Sequence, residues 1–233
     1  MPKTVKVAKP KAAKAVKPKA KKALKQKTAK ALKPKAKKAA KVSIPTAEET
    51  AHLVNSETVF EGKVFRVVRD QVIEPSGKQV TREIVRHRGS VVILAIDNAR
   101  SKRDPWVVME RQYRYAANQF LWELPAGKLE PGEEALTGAQ RELEEETGYQ
   151  AKKWKLLVDY FASPGFVSES MKVFVAEGLV AGAAHPEYDE QIEIRLVKIS
   201  EVLKMIAKGA IHDGKTLSGV LLYARKIAGK HRK

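Results

Sequence analysis

The stretch from Gly127 to Tyr149, GKLEPGEEALTGAQRELEEETGY, limits what the rest of the chain can become. A loop with Pro131 and Gly132 leads into a run of helix-tolerant residues from Glu133 to Thr147, and Gly148 supplies a C-terminal stop. At 100° per residue, Leu136, Ala139, Leu143 and Thr147 share one face, the side expected to pack on a core. Glu142, Glu145 and Glu146 gather on another. Carboxylates at i, i+3 and i+4 repel one another, and an isolated helix would lose roughly a few tenths of a kcal/mol per like-charged pair. A compensating charge is therefore expected. Oxygen ligands at this spacing suit a hard divalent cation, Mg²⁺ or Mn²⁺, that completes its shell with water and substrate phosphate. Gly138 lies on the same side and leaves room beside the carboxylates.

This stretch resembles the signature of the Nudix hydrolases, G-x(5)-E-x(7)-R-E-U-x-E-E-x-G-U with U aliphatic. Gly127, Glu133, Arg141, Glu142, Leu143, Glu145, Glu146 and Gly148 occupy its positions. The last aliphatic position holds Tyr149, a departure in packing that leaves the chemistry untouched. The resemblance implies metal ligation by Glu142, Glu145 and Glu146, joined by the backbone carbonyl of Ala126. It implies that Arg141 orients those carboxylates through charge-assisted hydrogen bonds, with Glu133 supporting the arrangement.

The net charge of +18 belongs to one end of the chain. Residues 1–41 hold 17 Lys and no acid, so the other 28 Lys and Arg nearly balance 27 Asp and Glu. From Lys9 to Ala40 an octad repeats as KPKAAKAV, KPKAKKAL, KQKTAKAL and KPKAKKAA. Its prolines interrupt any helix, and eight residues advance a helix by 80° beyond two turns, so Val16, Leu24 and Leu32 never align. Self-repulsion and the lack of large apolar residues predict a disordered basic tail. Its composition resembles the Lys/Ala/Pro tails of linker histones and bacterial histone-like proteins. A flexible polycation binds a phosphate backbone without base readout and with steep salt dependence, which points to DNA or RNA; a solubilising extension with no dedicated partner is the other reading. There is no cysteine and no long apolar run. A soluble protein of a reducing compartment, cytoplasmic and with a possible nucleoid association through the tail, is expected, with no membrane partner.

Residues 42–57 read as a linker. Strands are then predicted at Lys63–Val72, Val80–Arg86, Val91–Ile96, Trp106–Tyr113, Trp154–Phe161, Met171–Glu177 and Ile192–Val197, with a turn at Pro75-Ser76-Gly77. Helices are predicted at Ser200–Lys208 and Lys215–Ala228. The fold class is α+β, a mixed β-sheet with helices on its faces, consistent with the αβα sandwich that the Nudix resemblance implies. The folded domain is placed at residues 58–229, and its N-terminal strands, 58–86, are expected to support a homodimer by the same resemblance.

Outside the acidic helix, ERQYRYA (110–116), ELPAG (123–127) and SPGFVSE (163–169) are similar to motifs of the ADP-ribose pyrophosphatases within that family. Pro164 stands 15 residues past the signature, where that subfamily carries a marker proline. Arg111 and Arg114 can pair bidentately with phosphate oxygens. Pro164 and Gly165 form a rigid corner beside a ribose, and Glu169 is expected to accept from ribose hydroxyls or assist the metal. A catalytic base is sought in HPEYDEQIEI among Glu187, Asp189, Glu190 and Glu193, with Glu190 favoured by register against the following strand. The resemblance thus implies hydrolysis of a nucleoside diphosphate linked to another moiety, ADP-ribose first. Other nucleotide sugars or dinucleotides are the alternative substrates, and a nucleic-acid-associated nucleotide-binding protein is a reading from another class.

Overall fold

The computed structural model describes residues 50–185 and 191–230. The basic tail and most of the expected linker lie outside them. Two sheets and three helices follow in chain order. Strands β1 (His52–Glu61), β2 (Arg66–Ile73) and β3 (Gln79–Arg86) form an antiparallel sheet in sequential order. The β2–β3 turn closes through Glu74 and Lys78, with Gly77 at φ 77°, a value that favours glycine.

The second sheet has the order β10-β5-β4-β9-β8. It comprises β4 (Ser90–Asp97), β5 (Trp106–Arg114), β8 (Tyr149–Phe161), β9 (Ser170–Ala181) and β10 (Ile192–Lys198). Two short strands, β6 (Gln119–Glu123) and β7 (Ala126–Lys128), pair with β5 and β4 respectively. Strands β4 and β9 run parallel and the other pairs antiparallel, so the sheet is mixed. The apolar run in β4 is buried on both sides because successive side chains alternate between two layers. Val92, Leu94 and Ile96 pack toward helices α2 (Ile199–Ala207) and α3 (Gly214–Lys230), with Val202, Ile211 and Val220. Val91, Ile93 and Ala95 pack toward helix α1 (Ala135–Thr147), against Ala139 and Leu143. The result is helix, sheet, helix in three layers.

Two expectations need correction. The linker was expected to run to residue 57, whereas β1 begins at His52 and all ten of its residues are exposed. A strand with no buried face has no alternating pattern to reveal it in sequence. Leu136, expected on the core face of α1, is exposed, while Gly138 and Glu146 are buried with Ala139 and Leu143. In that first turn it is Ala135, not Leu136, that packs against the core cluster. The sequence also gave no sign of β6 and β7, which are too short to show a period. Among the described residues no helix is long and apolar enough to cross a membrane.

Candidate active site

Strands β4 and β5 are paired only at Ile96–Val107 and Asp97–Trp106; beyond that point β7 pairs with β4 and β6 with β5. The Glu123–Gly127 segment joining β6 to β7 therefore lies where the two central strands have parted. A cavity of about 800 Å³ opens here. Its walls include Arg114 from β5, Ala126, Gly127 and Lys128 from β7, Arg141, Glu142, Glu145 and Glu146 from α1, Glu169 before β9, and Lys215 from α3.

Helix α1 ends at Gly148, whose φ of 71° and the close approach of Gly182–Ala184 both exclude a Cβ. Its acidic face is held together by Arg141. The Arg141 Nε and Nη2 donate to the two oxygens of Glu133 at 3.0 Å each, and Nη1 donates to Glu145 at 2.9 Å and lies 2.8 Å from Glu142. One guanidinium thus offsets the repulsion among carboxylates a turn apart. The Arg141 hydrogen bonds hold the Glu133 carboxyl below its ordinary value despite some burial, and the same contacts raise Arg141. Gly127 makes room for this face, since a Cβ there would come within 1.9 Å of the Glu142 carboxyl carbon. Gly138 does the same for Leu129 and Glu133. Glu146 accepts from the backbone N–H of Ala126 at 3.0 Å.

Beneath Glu146 lies a second acidic layer that sequence reasoning missed. Glu110 and Glu123 are cross-strand partners, each about 1% exposed. Glu110 shares a hydrogen bond with Glu146, and burial above all pushes its carboxyl up to about 8. Its Oε1 has no hydrogen-bond partner. Glu123 accepts from Arg114 Nε and Nη2 at 2.9 Å each and from Lys215. Burial works against its charge, yet these cations hold the carboxyl below its ordinary value. The sequence signal was an acid closing an otherwise apolar strand, Val107–Glu110, and another opening the ELPAG segment; nothing singled out Lys215.

The remaining expected residues divide. Glu169 faces the cavity and accepts from the Ser90 hydroxyl at 2.6 Å. His87 Nδ1, which accepts from the Gly89 N–H, lies 3.7 Å from Glu169. Arg111 is not among the cavity walls; it stacks on Phe120 at 4.6 Å and lies 3.6 Å from Glu193. Pro164 and Gly165 are exposed in a loop outside those walls. Glu193 pairs with Arg195 on β10. Glu187, Asp189 and Glu190 lie outside the described residues; the chain enters that segment from His185, which lines the cavity and whose N–H donates to the Glu145 carbonyl at 2.7 Å.

Whether this site fits a metal is decided by its donors. Glu142, Glu145 and Glu146 offer oxygen only, they border one open cavity, and the Gly127 cradle keeps space for Glu142. As they stand, no three acids, histidines or cysteines among the described residues converge into a ready cage. The acids are turned toward Arg141 and Ala126, and Glu142, Glu145 and Glu146 are the side chains that would hold a cation.

The sequence pattern of the NUDIX domain matches residues 86–218, more than half of the chain. The chain belongs to the Nudix family. It is 38% identical over 181 residues to the methanol dehydrogenase activator of Bacillus methanolicus, covering 77% of this chain and 95% of that protein. It is 39% identical over 165 residues to the ADP-ribose pyrophosphatase of Bacillus subtilis, covering 70% and 86%. A solved structure of an ADP compounds hydrolase superposes with a TM-score of 0.66, covering 81% of this chain and all of that one at 20% identity, which shows the shared fold. This Nudix protein is a hydrolase of pyrophosphate linkages, and Nudix hydrolases work with a divalent cation.

Proposed function

We propose that the chain hydrolyses ADP-ribose to AMP and ribose 5-phosphate with Mg²⁺, Mn²⁺ serving in its place. The observation that carries this is the meeting of an oxygen-only acidic face, Glu142, Glu145 and Glu146, with the Arg114 guanidinium across one cavity. Bound there with the Ala126 carbonyl, the cation would neutralise the diphosphate oxygens that otherwise repel water. Arg141 sets the orientation of Glu142 and Glu145 before substrate arrives. Arg114 uses Nε and Nη2 on Glu123, which leaves Nη1 for a phosphate oxygen. Glu169, poised by Ser90, accepts from a ribose hydroxyl. Glu190 takes the proton of the attacking water. The water oxygen bonds to phosphorus, the bridging P–O bond breaks, and its electrons leave with the departing phosphate.

Support for the substrate comes from the Bacillus subtilis relative, an ADP-ribose pyrophosphatase at 39% identity. A GDP-mannose pyrophosphatase of Escherichia coli, 34% identical over 150 residues, keeps a second nucleotide sugar as the alternative. The exposed apolar side chains of β1, Leu53, Val54, Val59 and Phe60, support a homodimer. The Lys-rich residues 1–41 support non-specific binding to DNA or RNA and a nucleoid association, and deleting them should abolish salt-sensitive binding to either.

The test is turnover of ADP-ribose, GDP-mannose and NADH with Mg²⁺, by wild type and by Glu146→Gln. ADP-ribose should be preferred, and the substitution should lower kcat by about a thousandfold. Equal rates for the three substrates would remove ADP-ribose as the assignment, and an unimpaired variant would remove the acidic face.

A further inference from the structure

The corner before α3 is tied to the floor of the cavity by side chains that the hydrolysis scheme does not use. Asp213 accepts from the Thr216 N–H at 2.9 Å and from its hydroxyl at 2.6 Å, capping the helix. Thr216, fully buried, in turn accepts from the Leu124 N–H at 2.8 Å. One residue earlier, Lys215 bonds to Glu123 and lies 3.1 Å from Asp213, with its side chain only 10% exposed. The corner thus grips two consecutive residues, Glu123 and Leu124, just upstream of Ala126.

We propose that Lys215 is a positioning residue: by clamping Glu123 from the start of α3, it holds the Arg114 guanidinium facing the cavity. Glu123 stands opposite a second buried acid, Glu110, so its carboxylate is stable only with cations around it. Arg114 supplies one and Lys215 the other, both on Oε2. Arg114 alone could swing with Glu123 toward solvent, since its own side chain is 37% exposed. Lys215 removes that freedom because its ammonium is anchored at two carboxylates and its backbone belongs to a helix. The inference rests on the reading of Arg114 as a phosphate ligand, and it adds the C-terminal helix to the parts that set substrate affinity.

The test reads Arg114 directly. In wild type, the Arg114 Nε–H should give a slowly exchanging ¹⁵N–¹H resonance, assigned with Arg114→Lys. In Lys215→Met that resonance should broaden through exchange with water. KM for the diphosphate substrate should rise about tenfold or more, with kcat less affected, and Lys215→Met should add nothing to Arg114→Lys. An unchanged Nε–H resonance, or effects that multiply in the double variant, would overturn the proposal. Should Lys215→Met not fold, Asp213→Asn, which takes one anchor from the ammonium, must broaden the same resonance, and its failure to do so overturns the proposal equally. If wild type cleaves no diphosphate while the resonance behaves as described, the phosphate reading fails and the clamp stands.

Discussion

Apolar side chains occur in both sheets of this molecule, and those of β4 and β1 end in opposite states. In β4 every residue from Val91 to Ile96 is fully buried, with α1 on one side and α2 and α3 on the other. In β1, Leu53, Val54, Val59 and Phe60 are all at least half exposed. Hydrophobic content is therefore not what makes a rigid wall; covering layers are. The layered sheet fixes the backbone of β7 and α1 closely enough for Gly127 to sit against Glu142, whereas the uncovered sheet keeps apolar surface on offer to a partner. The contact between them that the backbone records is narrow: Val85 exchanges hydrogen bonds with Phe166 and Ser168, in the loop that ends at Glu169. A shift of the outer sheet thus has a route to one wall of the cavity.

The comparison breaks first if core packing does not dominate. Leu143→Ala removes a fully buried side chain that packs α1 on β4, and should destabilise the protein by about 3 kcal/mol in denaturant unfolding. A loss below about 1 kcal/mol would mean the layer is looser than drawn. Next, the joint substitution Leu53→Asp and Phe60→Asp places charge on the uncovered sheet. With a second copy resting there, light scattering should show the mass falling from dimer to monomer; an unchanged mass would place the partner surface elsewhere.

The smallest effect is expected inside the outer sheet. Asp70 is buried on β2, accepts from Ser56 at 2.6 Å and pairs with Arg86. The Ser56 hydrogen bond first, then Arg86, holds its carboxyl below the ordinary value against the opposing pull of burial. Because the folded value is depressed, its contribution is complete above the unfolded value near 4 and disappears as pH falls through the folded one. The sheet is thin and partly screened by water, so Asp70→Asn should lose about 1 kcal/mol at pH 7 and less as the pH drops below 4. A constant difference across that range would show that the pair carries no charge-dependent stability.

What the sequence revealed follows the same division. Strands β4, β5, β9 and β10 were legible because burial on one or both faces imprints apolar runs, and α1 because glycine and carboxylate spacing are set by the site itself. Residues 52–57 of β1 were read as linker since all of them are exposed, and β6 and β7 are shorter than the pattern that would announce them. Within the cavity, Arg141 with Glu133, Glu142 and Glu145 could be read because they stand close together in one stretch that resembles the Nudix signature. Glu123 and Lys215 could not, because 92 residues separate them and only the folded corner before α3 brings them together. Arg111 and Arg114 looked equivalent as neighbours on one strand; three residues apart, they project to opposite faces, and Arg114 alone meets the cavity.

The central claim is that the acids of α1 hold a divalent cation against a diphosphate. Mn²⁺ titration followed by electron paramagnetic resonance, with ADP present, tests it without reference to turnover. Wild type should quench the free-ion signal saturably, and a protein carrying Glu142→Gln, Glu145→Gln and Glu146→Gln, folded by circular dichroism, should leave it unquenched. Equal quenching by the two proteins would contradict the account.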